Sequence, residues 1–174
     1  MSPVASKTYT TEVICLRAMD FGEADKILHL YSAEHGRISA IAKGVKKSHS
    51  KMAGACQLLN ISEVQLAKGK NLETLCQYQP RATFVNIRSD LLKLSYSLLF
   101  AELVNLIAVD MDSQQIYGLL KNALTVLDQA SVQDPTVEII PLGIEFQVAM
   151  LHAAGYHPTL TECILTGEPL DMSR

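Results

Sequence analysis

The 174-residue chain has no tryptophan, and phenylalanine and tyrosine together make up 6% of it. In the first half only Phe21, Tyr31 and Tyr78 are candidate stacking faces, and core packing explains them equally well. A groove that binds mainly through aromatic rings is therefore not expected. Six prolines and nine glycines are too few for a fibrous or low-complexity chain, and 48% hydrophobic residues are too many for a disordered one. Four cysteines (Cys15, Cys56, Cys76 and Cys163) lie far apart with no Cys-x-x-Cys. Cys15 and Cys76 alternate with polar neighbours, which predicts buried, reduced thiols. The N-terminus lacks the apolar run of a signal peptide. The most apolar stretch, Leu91 to Val109, is interrupted by Lys93, Glu102 and Asn105. An ion at a bilayer centre costs about 2.5–3.5 kcal/mol, so this stretch is expected to be a core helix of a cytoplasmic, membrane-free protein.

Catalytic signatures are missing too. Gly44-Val45-Lys46-Lys47-Ser48 lacks the order and spacing of a phosphate-binding loop, and no serine sits in a Gly-x-Ser-x-Gly elbow. The five histidines (His29, His35, His49, His152 and His157) make no i, i+4 ligand pair. His29, inside a strand-like run, reads as a packing residue, and Asp110 and Asp112 as loop and helix cap. The expectation is a protein that is not an enzyme and has no cofactor; a small hydrolase is the remote alternative.

What the chain does carry is an uneven charge. The whole is mildly acidic, at −3. Residues 1–80 nevertheless hold ten Lys/Arg against seven Asp/Glu, a net of +3, while residues 81–174 hold five against eleven, a net of −6. Between His35 and Ser62 there is no acid, and Arg37, Lys43, Lys46, Lys47 and Lys51 supply five positive charges. A polyanion meets that local excess, not the average.

The halves also differ in period. Thr11–Arg17, Lys26–Ser32, Arg37–Lys43, Gln57–Ala67 and Leu72–Tyr78 alternate with period two, separated by turns at Asp20–Asp25, Glu34-His35-Gly36 and Lys68–Asn71, and by a basic loop over Gly44–Ala55. Five strands in about eighty residues fit a small barrel, with half a sandwich as the competing reading. After Pro80 the period becomes 3.6. One helix is expected after Ser89 with the stripe Leu92, Tyr96, Leu99, Leu103 and Leu106; a second after Asp112 with Ile116, Leu119, Leu120, Ala123, Leu124 and Leu127; a third after Asp134-Pro135, kinked or starting late because of Pro141. The expected fold is α+β: a barrel over 1–80, then a helical domain over 81–174 packed as a bundle and against the barrel.

Lysines spaced by small and hydroxyl residues on a loop leaving a barrel suit contact with a sugar–phosphate chain. The runs Thr11–Arg17, Phe21–Leu30, Gly36–Gly44 and Ser50–Ala55, the segment Arg88–Leu91 with the helix after it, and Leu151–Pro158 together resemble the bacterial recombination mediator family RecO over nearly the whole chain. That resemblance implies an OB-fold N-terminal domain and a helical domain. It also implies binding of single- and double-stranded DNA, strand annealing, and work with RecR and single-strand-binding protein to help load RecA. Carried over by position, the DNA-binding candidates are Arg37, Lys43, Lys46, Lys47 and Lys51, with Lys26 and Arg17 as weaker additions.

The sequence departs from the family pattern in two places. Many RecO proteins carry a four-cysteine zinc module beginning Cys-x-x-Cys-Gly. Here Cys163-Ile164-Leu165-Thr166-Gly167 has threonine in the second position. One thiolate does not hold a structural zinc, so no metal is expected. The chain ends at Arg174 where the module would follow, which implies either truncation before it or a variant that dispenses with it. The helical half has only Arg81, Arg88, Lys93, Lys121 and Arg174 as basic residues, which argues against its capturing the acidic tail of single-strand-binding protein. Two alternatives from other classes are a scaffold that binds RecR and touches DNA only indirectly, and an RNA-binding OB protein.

Overall fold

The computed structural model describes residues 8–47, 52–108, 111–158, 161–163 and 165–169. Five strands, β1 (Thr8–Phe21), β2 (Asp25–Ser32), β3 (Gly36–Ala42), β4 (Ile61–Ala67) and β5 (Glu73–Ala82), close into a barrel in the order β1-β2-β3-β5-β4. This is the expected OB-type barrel, and the sandwich reading falls. All pairings are antiparallel except the short β3–β5 contact, Ala40 with Glu73 and Ile41 with Thr74.

Closure depends on β1. Its first half, Thr8–Ile14, pairs with β4, and Val13–Phe21 pairs with β2, with a bulge between Cys15 and Arg17 that re-aims the strand. Val13 and Cys15 face the barrel interior with Leu28, Leu30, Ile38, Ala40, Val64, Leu66 and Leu75. Ile14 and Leu16 face outward into a second core shared with the helices. Burial of Cys15 pushes its thiol up to about 12, as expected of an inert buried cysteine. Cys76, by contrast, is exposed; in the outer part of β5 alternation did not mean burial.

Two further corrections concern this half. Residues 57–60 are not strand: Leu59 takes φ +68°, and the segment binds β1 sideways, Leu59 N–H donating to the Cys15 carbonyl at 2.8 Å and Cys15 N–H to that of Asn60 at 3.3 Å. Within the basic stretch, Ala53–Cys56 forms a single 3₁₀ turn.

Among the described residues four helices follow: α1 (Val85–Ser89), α2 (Leu91–Ile107), α3 (Ser113–Gln129) and α4 (Ile139–Ala153). The α2 cap is Asp90, not Ser89; its carboxylate accepts from Lys93 N–H at 2.9 Å, because Ser89 is taken up by α1. Asp112 caps α3 as expected, accepting from Gln114 and Gln115 N–H. α4 starts late, with Pro141 in the first turn, where its missing N–H costs nothing. The α3 stripe is placed correctly, with Ile116, Leu120, Ala123, Leu124 and Leu127 buried. The α2 stripe is not: Lys93, Ser97, Phe100, Ala101 and Val104 are its buried positions, while Leu99 and Leu106 are 40% and 61% exposed. α2 is apolar nearly all round, so periodicity carries no phase.

Phe100 stacks on Phe146 of α4 at 4.2 Å between centroids. α2 and α4 approach closely because Gly143 has no side chain; a Cβ there would lie 2.3 Å from the Tyr96 ring. The barrel is joined to α3 by Glu12, which accepts from the Tyr117 hydroxyl at 2.6 Å and Lys121 Nζ at 2.8 Å. Burial alone would raise the Glu12 pKa; the bonds from Lys121 and Tyr117 outweigh it and hold the carboxyl below its ordinary value. Among the described residues no helix is long and apolar enough to cross a membrane.

Two outcomes follow from this packing. Gly143→Ala should lower the melting temperature, at a cost of about 1–3 kcal/mol as Tyr96 is displaced. Gly118→Ala on the exposed face of α3, where a Cβ meets nothing within 4 Å, should gain up to about 1 kcal/mol; thermal melts of both variants check this. Because folding lowers the Glu12 pKa, its contribution is present above the ordinary glutamate value of about 4.3 and is lost as the pH falls through the lowered one. The melting-temperature gap between wild type and Glu12→Gln should therefore be larger at pH 7 than in acid.

Candidate nucleic-acid interface

The sequence-predicted cations do not form one patch. Four of them, Lys26, Lys43, Lys46 and Lys47, gather at the end of the barrel where β1 turns into β2 and β3 ends. The turn places Gly22 at φ +62° and the loop places Gly44 at φ +64°, conformations in which glycine carries no steric penalty. The two segments are bonded to each other: Gly44 N–H donates to Asp25 Oδ1 at 2.7 Å and Lys46 N–H to the Ala24 carbonyl at 2.9 Å. Lys47 N–H then closes onto the Gly44 carbonyl at 3.2 Å. The start of the basic loop is thus held in place by backbone bonds.

Charge within this group is partly cancelled. Asp20 lies 2.9 Å from Lys26 Nζ and 3.1 Å from Lys46 Nζ, and its carboxyl is held below the ordinary value by hydrogen bonds from those two ammonium groups. The Lys26 ammonium is correspondingly favoured. Lys43 and Lys47 are exposed and have no side-chain hydrogen bond or ion pair among the described residues. They are the uncompensated charges of the set. Lys51 lies outside the described residues.

Arg17 and Arg37 stand elsewhere. Arg17 is exposed in mid-barrel, opposite His29 across the β1–β2 pair. His29 is half-buried, as its packing reading expected; burial first, then Arg17 and Arg37, hold its pKa below the ordinary value. Arg37 begins β3, six residues from Lys43, or about 20 Å along an extended strand. Its Nη1 donates at 2.9 Å to the Asn105 carbonyl, in the last turn of α2, where carbonyls lack helical partners. Arg37 therefore also ties the barrel to α2. Of the three aromatic candidates, Tyr31 is fully buried, Tyr78 packs against the 3₁₀ turn, and Phe21 alone is well exposed, at 49%.

Sequence reasoning passed over Tyr9, His35 and Lys68. Tyr9 and His35 meet at 4.6 Å between ring centroids, edge to face, with Lys68 Nζ 5.8 Å over the Tyr9 ring. No local signal marks them, since the three come from β1, the β2–β3 turn and the end of β4.

Two family models match most of this chain: Recombination protein O N terminal over residues 5–84 and Recombination protein O C terminal over residues 88–174. The DNA repair protein RecO of Heliobacterium modesticaldum is 32% identical over 170 residues, covering 96% of this chain and 59% of its own length. That of Pelotomaculum thermopropionicum is 37% identical over 158 residues (90% and 59%), and that of Cutibacterium acnes 32% over 169 residues (93% and 67%). The chain belongs to the RecO family. It spans 59% of the length of the first two relatives, and its barrel is the OB-fold of RecO proteins.

The RecO resemblance implies a cysteine-bound zinc after α4, and the residues here do not fit one. Cys163 sits in a small hairpin in which its N–H donates to the Glu168 carbonyl and Gly167 N–H to the Cys163 carbonyl, both at 2.8 Å. Hydrogen bonding from the Thr166 hydroxyl, then from the Leu165 and Thr166 backbone, lowers the thiol pKa. A threonine hydroxyl takes the place where a second soft ligand would be needed. Among the described residues no three of His, Cys, Asp or Glu converge.

Asp25→Ala should speed hydrogen exchange at the Gly44 amide by tenfold or more, a local opening made easier by about 1–3 kcal/mol, with barrel amides remote from the loop changed far less; exchange measured by NMR or mass spectrometry checks it.

Proposed function

We propose that this chain is a non-enzymatic, cytoplasmic DNA-binding protein of recombinational repair that grips the phosphate chain through the loop after β3. The observation that carries the reading is the pair Lys43 and Lys47, exposed, uncompensated and mounted on a loop fixed by backbone bonds to an OB barrel. Lys26 and Lys46 extend the patch at reduced effective charge, Arg17 and Arg37 are separate cations farther along β1 and β3, and Lys51 joins the reading on its sequence position alone. Membership of the RecO family supports the wider role: binding of single and double strands, annealing, and action with RecR and single-strand-binding protein in loading RecA.

The chemistry is counterion release. Ammonium groups neutralise backbone phosphates and displace condensed cations, giving affinity without sequence preference. With about four phosphates contacted, log K against log salt should fall with a slope of roughly −3 on a single strand. Annealing follows from the same field, because two strands held on one cationic surface repel each other less.

Fluorescence anisotropy of a labelled oligonucleotide across a salt series tests this. Lys43→Glu with Lys47→Glu should weaken binding at least tenfold at low salt and flatten the slope, for single and double strands alike. Asp20→Asn, which releases Lys26 and Lys46, should tighten binding and steepen the slope. Unchanged affinity in both variants, with co-elution of RecR preserved, would favour the scaffold reading instead; competition between matched DNA and RNA oligomers separates the RNA reading.

A further inference from the structure

At the other end of β3 from the basic loop, a cleft of about 500 Å³ opens between the β2–β3 turn and the start of α3, lined by Glu34, His35, Gly36, Arg37, Met111 and Ser113. Its size lies in the range of small-ligand sites. The cleft is built from parts of both halves of the chain, and Ser113 Oγ donates to the Ala33 carbonyl at 2.7 Å, fixing the helix start against the turn.

Its wall is an aromatic held in advance. The His35 side chain is 43% exposed, yet its ring is braced edge to face on Tyr9. The Tyr9 hydroxyl in turn donates to Glu73 on β5 at 2.5 Å, so the support reaches back into the barrel. A ring ordered before binding loses little conformational freedom when a ligand stacks on it. Arg37 lines the same cleft with one nitrogen committed to the Asn105 carbonyl, leaving further guanidinium donors. Lys68 adds a cation beside Tyr9. The Glu34 carboxylate, 3.7 Å from His35 Nε2, opposes a bare phosphate here but can accept from a base N–H, whether the ring imino group of thymine or an exocyclic amino group. An aromatic face, forked donors and one acceptor together match a base edge better than a phosphate.

We propose that this cleft holds one unpaired nucleobase of a DNA strand, stacked on His35 and bonded at its edge by Arg37 or Glu34, while the phosphate chain runs along β3 to the basic loop. The proposal rests on the DNA-binding reading above and adds a preference for single strands, since a paired, stacked base is not available to enter.

The test uses the full chain, a labelled oligothymidylate, a duplex of equal length and an oligomer with consecutive abasic positions. His35→Ala should weaken single-strand binding about fivefold or more, the loss of one stacked base, and leave duplex affinity and the salt slope unchanged. His35→Phe should restore the affinity, and the abasic oligomer should not distinguish His35→Ala from wild type. Unaltered melting temperatures show that both variants fold. If His35→Ala leaves oligothymidylate affinity intact while the Lys43 and Lys47 changes abolish it, the base site is wrong and the phosphate grip stands. Equal loss on single strand and duplex, or a changed salt slope, also overturns the base site. Absence of any oligonucleotide binding by the wild type sinks both.

Discussion

The middle of β1 is buried on both faces, and its side chains, alternating with period two, serve two cores at once. The bulge between Cys15 and Arg17 then shifts that alternation by one residue. Val13 and Cys15 fill the barrel while Ile14 and Leu16 enter the core formed with α2 and α3. The outward placing of Arg17, which regular alternation would have turned inward with Val13 and Cys15, follows from that irregularity. Glu12 on one side and Arg37 on the other add polar ties from barrel to helices, and Arg88 adds a third through its bonds to Asn60 and the Leu58 carbonyl.

Electrostatics in this molecule is local. An overall charge of −3 predicts repulsion of nucleic acid, yet a Debye length of about 8 Å at physiological salt means that the acidic helical half is felt weakly at the barrel end where Lys43 and Lys47 sit. Asp20 is close enough to matter. By holding two lysines within hydrogen-bond distance it fixes their direction and reduces their field together. The carboxylate so near a cationic patch thus lowers its net charge while defining its surface.

The architecture was largely legible. Period two followed by period 3.6, turn residues at Asp20–Asp25 and Glu34–Gly36, and the Asp112 cap located four of the five strands well, placed α3 correctly and accounted for the late start of α4. The two errors of burial share one cause. Where a segment is apolar all round, as in α2, or alternates without a covering layer, as at Cys76, pattern alone does not say which face meets the core. The candidate site was legible only as a list of charges. That Lys26 and Lys46 share one carboxylate, that Arg37 gives one nitrogen to a helix carbonyl, and that Tyr9 reaches His35 are facts of register and packing between residues as much as 68 positions apart.

The amino-acid sequence by itself determined the fold class, the division of charge between the halves and the family, because these depend on composition, short periods and contiguous runs. Only the tertiary structure decided which lysines remain uncompensated and which aromatic faces a cleft. Those properties come from distances of a few ångströms between segments remote in the chain, and Coulombic and stacking interactions read distance in space, not order along the backbone.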